Sequence, residues 1–504
     1  MDLVTSVKQK QCGTEFSFLG GFITFISMMY DTFFNYIFSF INSFKKVKKI
    51  PPPSDPLLKE SVISLAQKIR NREVSSEKVV KIYIQRIKEI NGILNAVVHD
   101  RFEEAIKEAK AADELIKSGS VSDEELKSTK SLFGVPFTSK ESISAKGMSW
   151  TRGLICRRDK IGIEDAEVIK CLKNNGAILI AVTNIPEFCM WVETRNNVYG
   201  QTNNPYNTNR SVGGSSGGEA CIVTSCGSPF GLATDLGGSI RIPAYFCGVY
   251  GHKLTGGLIK TRGMLFRTGE EPFTIVSAGT ITRYAKDLKM TSSALVIPEK
   301  LPLLKFNIEV DIKSLKFYYV LNPGDVRVSA IDLRIEKALL NVVRLIKESN
   351  VNELSPQEGN VNVFVEICKT LFQCSSYTFS AILNLLNAYL PLPNSSWAEE
   401  ELKNLKTELL EKLGEDGVLL FPSYPTVAPY HYQQYLRPFN FAYMSIFNAL
   451  QLPVTQIPIG LSDDGMPLGI QIVAGPYKDK LCFAVAEYIE SLIGGWVPPF
   501  SSYV

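Results

Sequence analysis

The chain has 504 residues, a formal net charge of +3, 45% hydrophobic and 21% charged residues. That length can bury a large core, and a nearly balanced charge with dispersed Lys and Arg argues against a basic nucleic-acid-binding face. Its ten cysteines form no C-x-x-C pair and have no histidine at metal spacing, so they read as scattered thiols; neither metal nor cofactor is expected.

Residues 16–44 are strongly apolar and aromatic, longer than the roughly 20 helical residues that a bilayer core requires. Asp31 interrupts the run. A central aspartate costs about 2.5–3.5 kcal/mol, which many Phe and Ile residues at a few tenths each offset. The expectation is a single N-terminal membrane anchor, spanning or lying in the interface, within a segment 1–50. Lys45, Lys46, Lys48 and Lys49 outnumber Lys8 and Lys10, favouring a cytosolic body by the positive-inside rule. The sequon Asn394-Ser395-Ser396 fits a lumen instead, so an endomembrane location is expected with its side open.

Pro51-Pro52-Pro53 opens a stiff linker, 51–56, before one large domain over 57–504. Asp55 and Pro56 read as N-cap and first helical residue. Val62, Leu65, Ala66 and Ile69 mark one helical face, and Val79, Val80, Tyr83, Ile84, Ile87 and Ile90 another. Asn91–Ala96 breaks the pattern before a charged helix through Asp113. A helix over about 164–174 leads into a buried strand over 177–182. Farther on come a strand at 315–320 and helices near 330–348 and 363–389. Strands alternating with helices imply an α/β/α sandwich around a mixed sheet.

Three short stretches carry the chemistry. Gly134-Val135-Pro136-Phe137-Thr138-Ser139-Lys140 ends on a lysine, and Gly213-Gly214-Ser215-Ser216-Gly217-Gly218 and Asp235-Leu236-Gly237-Gly238-Ser239-Ile240-Arg241-Ile242-Pro243 are rich in Gly and Ser. A Gly-Gly-Ser turn can aim several backbone N–H groups at one point beside a hydroxyl, as an oxyanion site requires. A serine hydroxyl needs a base, and lysine serves only when neutral. Bringing its pKa from about 10.4 to near 7 costs roughly 4–5 kcal/mol, which burial supplies. Thr138 and Ser139 offer hydroxyls to the amine, and Glu141 is expected to point elsewhere. Gly213–Gly217 also fits the G-x-S-x-G elbow, but a polar, turn-rich run, Asn203–Arg210, precedes it where an elbow follows a buried strand. Of His99, His252 and His431, His252 reads as structural.

Jointly the three stretches resemble the amidase signature family, with Ser215 and Ser239 separated by the family's 24 residues. The resemblance covers about 55–495 and takes in Thr183-Asn184-Ile185-Pro186-Glu187, Val418–Ser423, Asn448–Val454 and Asp464–Ile472, the last two as C-terminal strands. It implies Ser239 as nucleophile, Ser215 as relay on a cis peptide, and Lys140 as base and later acid. Backbone N–H groups of Leu236, Gly237, Gly238 and Ser239 would form the oxyanion hole, with Ser216, Asp235 and Arg241 in support. Cys189, Met190 and Trp191 would line the acyl pocket or belong to the core.

Lys140-Glu141, Gly251-His252-Lys253 and the N-terminal apolar run look like type-2 fatty-acid amide hydrolases. What this implies is a membrane-bound serine amidase cleaving fatty-acyl amides, and esters, through an acyl-enzyme. Its partners would be those substrates and membrane lipid, with no nucleic acid and a homodimer left open. The other reading is an inactive amidase-shaped tether or binding protein.

Overall fold

The structure, a computed structural model, describes residues 14–265, 267–269, 275–321, 328–346, 351–353 and 396–500. Its strands are β1 (Val97–Asp100), β2 (Pro136–Lys140), β3 (Ile178–Thr183), β4 (Arg195–Asn196), β5 (Gly200–Gln201), β6 (Phe230–Asp235), β7 (Tyr250–Lys253), β8 (Ser277–Thr282), β9 (Lys316–Tyr319), β10 (Val351–Glu353), β11 (Gly417–Pro422), β12 (Val454–Leu461) and β13 (Pro467–Ala474). β4 and β5 pair by themselves, and the others form one sheet in the order β1-β3-β2-β6-β8-β7-β12-β13-β11-β9-β10. The sheet is mixed: β2 runs parallel to β3 and β6, and β9 to β10 and β11, while the remaining neighbours are antiparallel.

The helices are α1 (Thr14–Ser43), α2 (Val62–Arg70), α3 (Ser76–Leu94), α4 (Phe102–Ser118), α5 (Asp123–Thr129), α6 (Glu167–Asn174), α7 (Gly217–Thr224), α8 (Arg241–Phe246), α9 (Ala285–Ser293), α10 (Leu333–Ile346), α11 (Ser396–Leu413), α12 (Ala442–Ala449) and α13 (Asp479–Ile493). Successive strand residues point to opposite faces, and both faces are covered. Ile470, Ile472 and Ala474 of β13 cluster with Leu481, Val485 and Ile489 of α13. Val473, between them, clusters with Tyr443 and Phe447 of α12. β11 alternates likewise, Val418 and Leu420 to the first layer and Leu419 and Phe421 to the second. Helix, sheet and helix are thus stacked, as the strand and helix alternation predicts.

Local chemistry sets the boundaries. Ser61 and Ser75 cap α2 and α3 by accepting from the N–H groups of Ser64 and Lys78. Asn91 and Gly92 stay helical, and α3 ends only where Asn95 turns left-handed at φ 52°. Pro56–Lys59 is a single 3-10 turn capped by Asp55. Asn448 and Ala449 finish α12, so only part of the 448–454 stretch is strand. The expected helix at 363–389 and Asn394 of the sequon lie outside the described residues.

The apolar run forms α1, but no helix among the described residues is long and apolar enough to cross a membrane. A spanning anchor is therefore not supported. Asp31 and its neighbour one turn on, Asn35, are engaged with the body instead. Asp31 Oδ1 accepts from Arg437 Nε at 2.6 Å and its carbonyl from Arg437 at 2.8 Å, while Asn35 Oδ1 accepts from Gln433 and Arg437. These polar groups hold α1 along the body, and Phe33, Tyr36, Phe40 and Phe44, 60–79% exposed, face outward. The segment after α1 is also tied down: Lys48 N–H donates to Thr208 Oγ1, Pro51 carbonyl accepts from Arg86, and Ile50 is buried.

Candidate active site

β2 and β6 are parallel neighbours, and their carboxyl ends carry Lys140 and Thr234-Asp235 side by side. In open α/β sheets this is the end where ligands bind. Lys140 is fully buried; its Nζ lies 2.7 Å from Ser215 Oγ and 3.0 Å from Thr234 Oγ1. Burial pushes its amine pKa down, opposed by Cys189, Asp235 and Glu219. Ser139 does not serve the amine as expected, because adjacent strand residues face opposite ways; its hydroxyl has no partner among the described residues. Thr138 gives its hydroxyl to Glu219. Thr234 takes the place expected of them.

Glu141 does point away from the amine. Its carboxylate accepts from the Thr151 N–H and hydroxyl, the Arg152 N–H and the Tyr199 hydroxyl. Burial nonetheless raises its pKa to about 7, those donors opposing the rise.

Ser215 follows a cis peptide from Gly214. Gly214 lies so close to the Trp191 carbonyl that a Cβ would collide with it. Ser215 Oγ lies 2.9 Å from Ser239 Oγ. Ser216 joins the two turns: its N–H donates to the Ser239 carbonyl at 3.1 Å and its hydroxyl to the Thr234 carbonyl at 3.4 Å. Exposure rises along the row. Lys140 and Ser215 are buried, Ser239 is half-buried, and Leu236 beside it is 48% exposed.

Asp235 shapes the turn around Ser239. Its carboxylate accepts from Gly238 N–H at 2.7 Å and Ile240 N–H at 3.0 Å, and pairs with Arg241 through two 3.0 Å contacts. Burial alone would raise its pKa, but the Arg241 guanidinium holds it well below the carboxylate range. Arg241 donates in turn to Asn448 Oδ1, Gln471 Oε1 and the Met444 carbonyl. Gly238, at φ 111°, has a conformation open to glycine. Its N–H donates to the Asp235 carboxylate, an engagement not foreseen in the oxyanion set of Leu236, Gly237, Gly238 and Ser239 that the resemblance implies.

Of the expected pocket residues, Cys189 is half-buried and lies close enough to Lys140 to oppose the fall in its pKa. Met190 is 38% exposed, and Trp191 stacks on Tyr435 with centroids 5.0 Å apart. His252 is buried against Thr455 and Asp479, as a structural histidine should be. Thr234 and Glu219 were missed by the sequence reading, although each stands directly beside a stretch it singled out, Glu219 after Gly218 and Thr234 before Asp235. Asn448 and Gln471 reach Arg241 from over 200 residues away, beyond any local pattern.

The described residues contain no cluster of His, Cys, Asp and Glu able to hold a metal. The row instead joins a buried amine to a partly open hydroxyl through a second hydroxyl, an arrangement able to pass a proton.

The amidase family description matches residues 78–313 and 335–483. Fatty-acid amide hydrolase 2-A of Danio rerio is 40% identical over 491 residues, covering 90% of this chain and 92% of that protein. Fatty-acid amide hydrolase 2 of Homo sapiens is 38% identical over 496 residues, covering 90% and 93%. The solved structure of a fatty acid amide hydrolase superposes with a TM-score of 0.70 at 21% identity, covering 89% of this chain and 87% of the other. Fold and sequence together define the class, an amide-cleaving hydrolase. The chain belongs to the amidase signature family and is similar to its type-2 fatty-acid amide hydrolases.

Proposed function

We propose that this protein hydrolyses fatty-acyl amides, and the corresponding esters, by a Ser-Ser-Lys mechanism. The observation that carries the reading is the unbroken row Lys140 Nζ, Ser215 Oγ, Ser239 Oγ with steps of 2.7 and 2.9 Å. A neutral Lys140 accepts the Ser215 proton while Ser215 accepts that of Ser239, whose oxygen attacks the acyl carbon. N–H groups of Leu236, Gly237 and Ser239 receive the developing oxyanion. Lys140 returns the proton through Ser215 to the leaving amine, and water then cleaves the acyl-enzyme by the same relay. Asp235, Arg241 and Ser216 keep the two turns in register, and Cys189, Met190 and Trp191 line the acyl path.

The fatty-acyl preference rests on the names of the relatives and on α1. A helix with an apolar outer face and lysines at its end suits the plane of a membrane interface, where lipid-soluble substrates gather. In this reading α1 lies on the membrane and does not span it.

Covalent labelling by a fluorophosphonate tests the assignment. It should be lost in Ser239→Ala and strongly slowed in Ser215→Ala; labelling that survives the first and vanishes in the second reverses the serine roles. An unlabelled wild-type protein returns the inactive tether.

A further inference from the structure

Glu219, on α7, is fully buried and has no part in the relay. Its carboxylate oxygens lie 2.6 Å from Thr138 Oγ1 and 2.7 Å from Thr183 Oγ1. Thr138 and Lys140 are two apart on β2, so their side chains share one face of the sheet. Ser215 and Glu219 are four apart across the start of α7. The contacts Lys140–Ser215 and Thr138–Glu219 are therefore two rungs between the same pair of elements, and Thr183, at the end of β3, holds the second rung from the neighbouring strand.

The space for this carboxylate is built in. Gly231 of β6 pairs with Thr138 across the sheet, and a Cβ at Gly231 would overlap the Glu219 carboxylate. Burial raises the Glu219 pKa to about 8, against the two threonine hydroxyls and Lys140. A well-packed apolar side chain would avoid that penalty.

We propose that Glu219 is a positioning residue: by bridging Thr138 and Thr183 it holds the start of α7, and with it Ser215 Oγ, within reach of Lys140 Nζ. The inference rests on the reading of Lys140, Ser215 and Ser239 as the reacting row. A Ser215 displaced by an ångström loses the proton path while the acyl path stays as it was, so the loss falls on kcat and spares KM.

The test measures kcat and KM of the full-length protein on hexadecanoyl p-nitroanilide, with fluorophosphonate labelling in parallel. Glu219→Ala should lower kcat about 30- to 300-fold with KM within about threefold, the scale of loss for an ångström-level misplacement. Glu219→Gln, whose amide can accept from one threonine hydroxyl and donate to the other, should recover about tenfold or more of that loss. Thr138→Val and Thr183→Val leave no cavity and should each cut kcat by about tenfold, also with little change in KM. Should Glu219→Ala fail to fold, the two valine variants decide. Undiminished kcat in both, or in a folded Glu219→Ala, with only the melting temperature lowered, overturns the inference by reducing Glu219 to core packing. Labelling that persists in Ser239→Ala overturns the relay itself, and the role of Glu219 with it.

Discussion

Arg437 grips Asp31 twice, once at the carboxylate and once at the backbone carbonyl. The charge that breaks the apolar run is thereby spent on docking the helix, and the aromatic face of α1 is left for another surface.

Replacing Phe33, Tyr36 and Phe40 together by serine should cut recovery on phosphatidylcholine vesicles severalfold, because burying such side chains contributes about 1.5–3 kcal/mol each. Turnover of a short, soluble acyl amide should hardly change. A vesicle-sedimentation assay showing undiminished binding would remove α1 from the membrane contact.

Lys140→Ala should separate amides from esters. An amine cannot leave the tetrahedral intermediate without a proton, whereas an alkoxide leaves more readily, so the amide rate should fall by an extra factor of about 10–100. In the wild type, kcat/KM should climb with pH as Lys140 becomes neutral. Since burial lowers this pKa, the climb should be complete below the ordinary lysine value of about 10.4. Paired pH–rate profiles on an amide and its ester check both points, and equal losses would leave Lys140 no role as acid.

Asp235→Asn should destabilise the fold by about 3–5 kcal/mol, because it leaves the buried Arg241 charge without its carboxylate. It also loosens the hold on Gly238 and Ile240, so Ser239 labelling should slow even well below the denaturation midpoint. Urea titration with parallel labelling measures both; a loss under about 1 kcal/mol contradicts the buried pair.

Glu219 gives a pH signature in stability as well. Its carboxyl pKa is raised from 4.5 to about 8 on folding, so between those values the folded chain holds a proton that the unfolded chain has released. That contribution is present at low pH and lost as pH rises towards 8. Lys140 is the titratable group facing it. Glu219→Gln has no such proton to lose, so its melting temperature should gain on the wild type from pH 5 to pH 8. A constant gap across thermal melts would show that the carboxyl keeps its ordinary pKa.

How far the sequence could be read follows from the range of the forces involved. The dense glycine and serine stretches marked Ser215 and Ser239 because turns and close backbone approaches leave a local trace. Lys140 was marked by the Gly134–Lys140 segment that it ends, while the strand β2 that carries it was not foreseen. The β1 strand was missed because four residues, Val97–Asp100, carry too little periodicity. Ser139 was expected beside the amine, but alternation along β2 turns it to the face opposite Lys140. Asp31 read as a flaw in an anchor, since its partner lies 406 residues away. The Gly238 N–H donates to the Asp235 carboxylate, a turn geometry that residue spacing alone does not reveal.

The clamp on the nucleophile's turn has a further consequence for how the protein comes into being. Asp235 and Arg241 are braced by Asn448 and Gln471, 213 and 230 residues downstream. A growing chain on the ribosome therefore carries Lys140, Ser215 and Ser239 long before it owns the side chains that brace the turn between Asp235 and Arg241. On the proposed relay, the turn around Ser239 is fully braced only once that last portion has emerged and docked.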